Sequence, residues 1–179
     1  YKHAMPKFLN VANKLLSLRG AITLSDEYDQ PVFEAKGEFA FLSPTWRLYT
    51  GSTQVASIRK RIWAWSRTWD IESVLGDFVI KRKLWTWSPQ FRVMGSRFDG
   101  AAMSGGLFDL NAEIEVKGKL IAKVRGKILT LRDRHTVELL DQSDEAVLFT
   151  AIAMVVMQLD RRASSGGGDV GGDGGGGGD

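Results

Sequence analysis

The sequence contains no cysteine and only two histidines, His3 and His135. The absence of cysteine excludes a disulfide framework, a thiolate metal site and a cysteine nucleophile. Two histidines are too few for a histidine-rich metal centre, so we expect neither a bound metal nor another cofactor. An apolar run of the roughly 20 residues that a helix needs to cross a bilayer is missing too.

Glycine is concentrated at one end of the chain. Ten of the 20 glycines lie in residues 163–179, which include no aromatic side chain. Such a segment cannot offset the entropy of ordering, so we expect a disordered tail. Residues 1–162 have about the length of one domain. All 24 basic residues but only 18 of the 21 acidic residues lie in this domain, which gives it a net charge of +6.

A five-residue pattern recurs four times in the predicted domain: one basic residue, two apolar residues, a small residue and another apolar residue. The copies begin at Lys14, Arg61, Lys83 and Lys127 and read KLLSL, RIWAW, KLWTW and KILTL. They are short, and β-branched and aromatic residues crowd several of them, which favours strands over amphipathic helices. Adjacent apolar residues then indicate a bulge or a strand that is buried on both faces.

The same patterning, with turn signals at 26–30, 50–52 and 117–119, predicts twelve short strands. The N-terminal segment 6–13 is also compatible with a short helix. We place the strands near residues 15–18, 20–25, 31–36, 38–42, 45–49, 54–62, 67–72, 77–85, 90–94, 108–115, 119–128 and 134–140.

Two longer correspondences indicate an internal duplication. Residues 55–62 resemble residues 121–128, and the pattern Phe-x-x-x-Gly occurs at 33–37 and again at 91–95. The two spacings differ by about the length of the Gly-rich stretch 99–106, which we interpret as a loop inserted into the second copy. Chance similarity between strand-rich segments is the alternative explanation.

A single helix over about 144–160 decides the predicted architecture. Ser143 is a suitable N-cap, and Asp144 and Glu145 suit the positive end of the helix dipole. The stretch 146–159 is apolar on nearly every side, so protein must surround this helix. A closed antiparallel barrel of about twelve strands is wide enough to hold it and leaves no exposed strand edge. We therefore predict a mainly β fold with this helix at its centre.

The repeated pattern, the segment FEAKG at 33–37 and the acidic step into 146–159 together resemble the LURP-one-related family. The resemblance covers roughly residues 5–160. It implies the tubby C-terminal fold that this family shares with phospholipid scramblases, a twelve-stranded barrel around a hydrophobic C-terminal helix. Tubby domains bind phosphoinositides and scramblases move lipids between leaflets, so the resemblance also implies a role at membranes.

Two segments, 59–65 and 81–87, are the candidate binding site. Each has three cations, one apolar residue and then Trp-x-Trp, and a regular strand would place alternate residues on one face. Basic residues attract anionic lipid and tryptophan prefers the bilayer interface. The alternative is that the cations form a solvated face while the tryptophans fill the barrel. The candidate lipid- and anion-binding residues are Arg59, Lys60, Arg61, Trp63, Trp65, Lys81, Arg82, Lys83, Trp85 and Trp87.

The sequence favours a non-enzymatic module that binds anionic phospholipid or phosphoinositide head groups. We expect it inside the cell, in the cytoplasm or peripherally at the inner membrane face. Lipid translocation of the scramblase type is one alternative, and a protein-interaction or signalling scaffold without a lipid ligand is another. Nucleic acid competes for the same basic and aromatic residues. A net charge of +6 is modest for that ligand, and no nucleic-acid-binding motif is present.

Signatures of catalysis are sparse. The carboxylate pairs Glu34/Glu38 and Asp70/Glu72 have no third group at a diagnostic spacing. The glycines of 95–100 lack the lysine and the strand-to-helix setting of a phosphate-binding loop. We therefore expect no enzymatic activity.

Overall fold

Twelve strands close into an antiparallel barrel in the computed structural model, and one helix follows them. Each strand pairs with its neighbours in sequence, and β12 returns to pair with β1. The mainly β barrel of twelve strands with a C-terminal helix is thus confirmed. The structure describes residues 6–14, 20–38, 44–105, 112–125 and 134–165.

The strands are short and evenly distributed along the chain. They are β1 (Phe8–Lys14), β2 (Ala21–Ser25), β3 (Pro31–Glu38), β4 (Thr45–Thr50), β5 (Thr53–Lys60), β6 (Thr68–Ser73), β7 (Phe78–Arg82), β8 (Gln90–Met94), β9 (Ala102–Ser104), β10 (Glu113–Val116), β11 (Lys119–Arg125) and β12 (Arg134–Leu139). The helix, α1, runs over Asp144–Ser165. Consecutive strands run in opposite directions, so the connections alternate between the two ends of the barrel.

The N-terminal segment is a strand, and the helix considered for 6–13 is wrong. In β1, Leu9 and Val11 are fully buried, while Asn10 and Ala12, which alternate with them, are partly exposed. This alternation has the period of two that a strand produces. A segment of only seven residues also fits the spacing of helical turns. Pairing with β2 and β12 decides in favour of a strand.

The Gly-rich stretch 99–106 is not simply an inserted loop, because its central residues form β9 between β8 and β10. Met103 is fully buried between the partly exposed Ala102 and Ser104, but a strand of three residues is too short for this alternation to be recognised in the sequence. The strands expected near 15–18 and 38–42 fall largely on 15–19 and 39–43, outside the described residues.

Each of the two correspondences behind the predicted duplication relates one pair of strands in the barrel. The match between 55–62 and 121–128 relates β5 to β11, six strands apart in a barrel of twelve. The match between 33–37 and 91–95 relates β3 to β8, which are five strands apart. The two separations differ by one strand, and β9 is the additional strand in the stretch 99–106. A duplication with this stretch inserted into the second copy therefore stays a prediction.

The helix is enclosed by the barrel, as the sequence predicts. Residues 151–156 are consecutive and each is 0% exposed, which covers every face of a helix. No helix in the described ranges is long and apolar enough to cross a membrane. The helix continues beyond the predicted end at residue 160, so 163–165 are helical. The rest of the expected tail, 166–179, lies outside the described residues.

Aromatic packing joins the helix to the barrel wall. The ring of Phe149 stacks on Phe98, with 4.2 Å between centroids and 7° between planes. Phe78 packs at 52° to the Phe149 ring, with 5.8 Å between centroids. Phe149 itself is fully buried. These three rings tie α1 to β7 and to the connection between β8 and β9.

Hydrogen bonds fix the start of the helix. The Ser143 hydroxyl oxygen accepts from the Ala146 N–H at 3.3 Å, as an N-cap does. Asp141 Oδ1 accepts from the Ser143 N–H at 3.0 Å, and Asp141 Oδ2 lies 3.0 Å from Lys119 Nζ. Hydrogen bonds from Ser143 and then from Lys119 lower the pKa of Asp141 to about 2.

We expect Phe149→Ala to lower the free energy of unfolding by about 3–5 kcal/mol, because it leaves a cavity between α1 and the wall. Tyr28→Ala is the control, since Tyr28 is 77% exposed and its loss should change stability by less than about 0.5 kcal/mol. Urea denaturation measures both. Equal effects of the two changes would contradict a helix that is enclosed at Phe149.

Asp141 makes the stability depend on pH. Its pKa is lower in the folded state than in the unfolded chain, so its ionised form stabilises the fold at neutral pH. This contribution begins to fall below about pH 5 and is lost as pH drops through about 2. We expect Asp141→Asn to cost about 1 kcal/mol at pH 7, since solvent screens the partly exposed group, and almost nothing at pH 2. Denaturation curves across this range measure the difference, and a constant difference would contradict the assignment.

Candidate functional site

Both Trp-x-Trp segments are loops at the same end of the barrel. Residues 61–67, the first Trp loop, connect β5 to β6, and residues 83–89, the second Trp loop, connect β7 to β8. Both connections lead from an odd strand to an even strand, which places them at one end, here called the aromatic end. The predicted strands 54–62 and 77–85 therefore extend too far.

Backbone hydrogen bonds close each of these loops at its base. The Arg61 N–H donates to Thr68 O at 2.9 Å, and the Lys83 N–H donates to Gln90 O at 2.8 Å. Beyond these bonds the chain leaves the sheet. The tryptophans consequently do not continue the strand faces predicted from the sequence.

The four tryptophans of these loops are in water. Trp63 is 96% exposed, Trp65 and Trp85 are each 100% exposed, and Trp87 is 107% exposed relative to a reference residue. The alternative that they fill the barrel is therefore wrong. Trp69, which is 1% exposed, does lie in the core.

The first apolar residue of each loop is exposed as well. Ile62 and Leu84 are each 53% exposed, so each loop presents one aliphatic and two aromatic side chains. Trp85 also has a φ of 60°, in the left-handed region that bulky residues rarely adopt. Large exposed apolar groups and a strained backbone at one loop tip are features that stability alone does not favour.

The cations beside the first Trp loop are neutralised by acids on β6. Arg61 lies 2.6 Å from Asp70 Oδ1 through Nη2, and its Nε bonds both carboxylate oxygens. These hydrogen bonds and then the charge of Asp70 raise the pKa of Arg61. Arg59 Nη2 lies 3.4 Å from Glu72 Oε1. These two arginines keep little uncompensated charge.

The cations beside the second Trp loop are arranged differently. Lys81 on β7 lies directly opposite Arg92 on β8, and both side chains are exposed. Lys83 Nζ lies 3.4 Å from the neutral Gln90 Oε1. Within the described ranges, no ion pair includes Lys81, Lys83 or Arg92. Like charges opposite each other on adjacent strands are unfavourable, so this pairing is not explained by stability.

Arg92 was not among the candidates from the sequence. It stands outside the repeated pattern, and only the β7–β8 register brings it to Lys81. Two of the candidates have other roles. Arg82 turns to the helix and binds Asp160 Oδ2 at 2.8 Å, and Lys60 ends β5, with its N–H donating to Pro44 O at 3.3 Å.

The opposite end of the barrel is acidic. It carries the even-to-odd connections and the start of α1. Its acidic residues are Asp26, Glu27, Asp29, Asp77, Asp99, Asp141, Asp144 and Glu145. Its basic residues are Lys7, Arg97, Lys117 and Lys119. In the part of the chain that the structure describes, acids thus outnumber bases at this end, whereas Lys81, Lys83 and Arg92 at the aromatic end have no ion pair.

We expect Trp85→Gly to leave the free energy of unfolding unchanged or to raise it by up to about 1 kcal/mol. Glycine adopts a positive φ without strain, and this gain offsets its greater freedom in the unfolded chain. Trp87→Gly is the matched control: it removes an equally exposed tryptophan that has no positive φ, and should cost about 0.5–1 kcal/mol. Urea denaturation compares them, and equal losses would contradict strain at Trp85.

Comparison with known proteins agrees with this architecture. No curated protein matches the chain. An X-ray structure of a protein from Arabidopsis thaliana matches with a TM-score of 0.57 at 16% identity, over 90% of this chain and 95% of the other. At this identity the likeness shows the fold alone. The model of the LURP-one-related family matches residues 8–157, and the chain therefore belongs to the LURP-one-related family.

Proposed function

We propose that the aromatic end binds anionic membrane surfaces, including phosphoinositide head groups. The observation that carries this proposal is the set of four water-exposed tryptophans on two loops at one end of the barrel. The family and the barrel fold fit a non-enzymatic module. Tryptophan favours the bilayer interface, where its ring is in an apolar setting and its N–H remains hydrated.

The apolar contribution of the tryptophans is comparable with the cost of association. Inserting about half of the 150–250 Å² of each tryptophan removes about 400 Å² from water for the four side chains. At about 25 cal/mol per Å² this is about 10 kcal/mol before any cost is subtracted. Association costs about 4–15 kcal/mol, so the tryptophans alone give weak binding at best.

Charge supplies the selectivity for anionic lipid. Each basic residue close to an anionic surface contributes about 1 kcal/mol, so Lys81, Lys83 and Arg92 together contribute about 3 kcal/mol at low salt. Arg59 and Arg61 contribute less because acids on β6 already neutralise them. The acidic opposite end is repelled by the same surface, which turns the aromatic end toward it.

Surface binding explains the structure better than lipid translocation does. A translocating protein of the type considered from the sequence would insert its apolar C-terminal helix. The residues of α1 from 151 to 156 are instead fully buried inside the barrel. The apolar groups that face water belong to the two loops.

Sedimentation with lipid vesicles tests the proposal. One set of vesicles contains only phosphatidylcholine, and another also contains phosphatidylserine. We expect the anionic vesicles to bind the protein up to about a hundredfold more tightly at low salt, in line with about 3 kcal/mol from the three cations. Replacing the four loop tryptophans by alanine should abolish pelleting with both.

Reversing charges at each end of the barrel distinguishes the effect of local charge on binding from the effect of net charge. Lys81→Glu/Arg92→Glu should weaken binding to anionic vesicles by about tenfold or more. Lys7→Glu/Lys117→Glu changes the net charge equally at the acidic end and should have little effect. Equal pelleting with neutral and anionic vesicles would reject the proposal, and so would equal losses from the two charge reversals.

A further inference from the structure

A single buried carboxylate binds the bases of both Trp loops. Asp160, in the last turns of α1, is 3% exposed. Its Oδ1 lies 3.0 Å from Arg67 Nη1, and its Oδ2 lies 2.8 Å from Arg82 Nη1. Arg67 is the last residue of the first Trp loop, and Arg82 immediately precedes the second. The carboxylate is thus shared between the two loops.

Arg67 also holds the end of the helix. Its Nη1 donates to Asp160 O at 3.0 Å and to the Ser164 hydroxyl at 2.6 Å, and its Nη2 donates to Ala163 O at 3.4 Å. The Arg82 N–H donates to Arg67 O at 2.9 Å, so the two loop bases contact each other directly as well. The end of α1 and both loop bases therefore form one connected unit.

Asp160 occupies a position that helix electrostatics disfavours. The C-terminal end of a helix carries partial negative charge, so an acidic side chain is unfavourable there. Burial adds a desolvation penalty, and a buried ion pair contributes little net stability compared with apolar residues. The two arginines compensate the buried carboxylate, so its position is explained by the groups that it binds and not by the helix.

We propose that Asp160 is a positioning residue for the two Trp loops. It binds Arg67 and Arg82 at the same time and so fixes the distance and relative orientation of the loop bases. This inference rests on the proposed membrane binding. Two anchors held in a fixed arrangement engage one surface together, because the second insertion then requires little additional ordering.

The test replaces the carboxylate by an amide of the same shape. Asp160→Asn keeps one oxygen to accept from one arginine and loses the charge and the second acceptor. We expect its affinity for phosphatidylserine-containing vesicles to fall about three- to tenfold while its circular dichroism spectrum is unchanged. Ser164→Ala is the control, since it removes one contact of Arg67 but leaves the shared carboxylate, and it should bind as the wild type does.

A second readout distinguishes positioning from a general loss of stability. In a Trp85→Phe/Trp87→Phe background only the first loop retains tryptophan, and Trp63→Phe/Trp65→Phe leaves only the second. Brominated lipids then report the insertion of each loop separately. With Asp160 present we expect similar quenching of the two loops. With Asp160→Asn we expect one loop to be quenched less than the other at equal bound fraction.

The conservative change Arg82→Lys provides an independent variant that keeps the charge opposite Asp160. We expect Arg82→Lys to reduce the affinity for vesicles less than Asp160→Asn does. Arg82→Lys replaces Asp160→Asn in the test if Asp160→Asn does not fold. Wild-type protein that fails to bind vesicles would overturn the proposed function itself. Wild-type binding together with unchanged affinity and equal loop quenching in Asp160→Asn and Arg82→Lys would overturn the positioning role alone.

Discussion

The structure depends on the need to keep an entirely apolar helix out of water. An ordinary surface helix hides one stripe of side chains, whereas the middle of α1 is buried on every face. A flat sheet cannot provide that cover, and a closed barrel can. Closure also pairs every strand with two neighbours, which leaves no strand edge open to another chain. One constraint thus explains why the sheet closes and why its interior is wide enough for a helix.

This solution restricts where function can lie. The barrel interior is filled by α1, and the backbone of the wall is engaged in the strand ladders. Recognition is left to the outward side chains of the strands and to the loops at the two ends. Those ends differ, since acids dominate the end where α1 begins, while the Trp loops lie where it finishes. The two ends of α1 therefore coincide with two ends of the barrel that differ in their surface residues.

The sequence was sufficient for the fold wherever one strong pattern determined the outcome. The run 146–159 predicts a buried helix, and the many short strands that precede it predict a barrel around it. The sequence was insufficient where two different local structures share the same residue pattern. The segments RIWAW and KLWTW have the composition of strands, but backbone bonds at Arg61 and Lys83 end the ladders before the tryptophans. Residue type alone does not encode that boundary.

Pairing across strands explains why two nearly identical segments differ. In β5, Arg59 faces Asp70 in the neighbouring strand, and Asp70 binds Arg61. In β7, Lys81 lies between the uncharged Thr68 and the basic Arg92. Sequence similarity therefore reproduces the loop length and the exposed tryptophans but not the electrostatic setting. The first loop is suited to apolar anchoring, whereas the second combines anchoring with uncompensated positive charge. A ligand that needs both an apolar layer and anionic groups matches the pair of loops better than it matches either one.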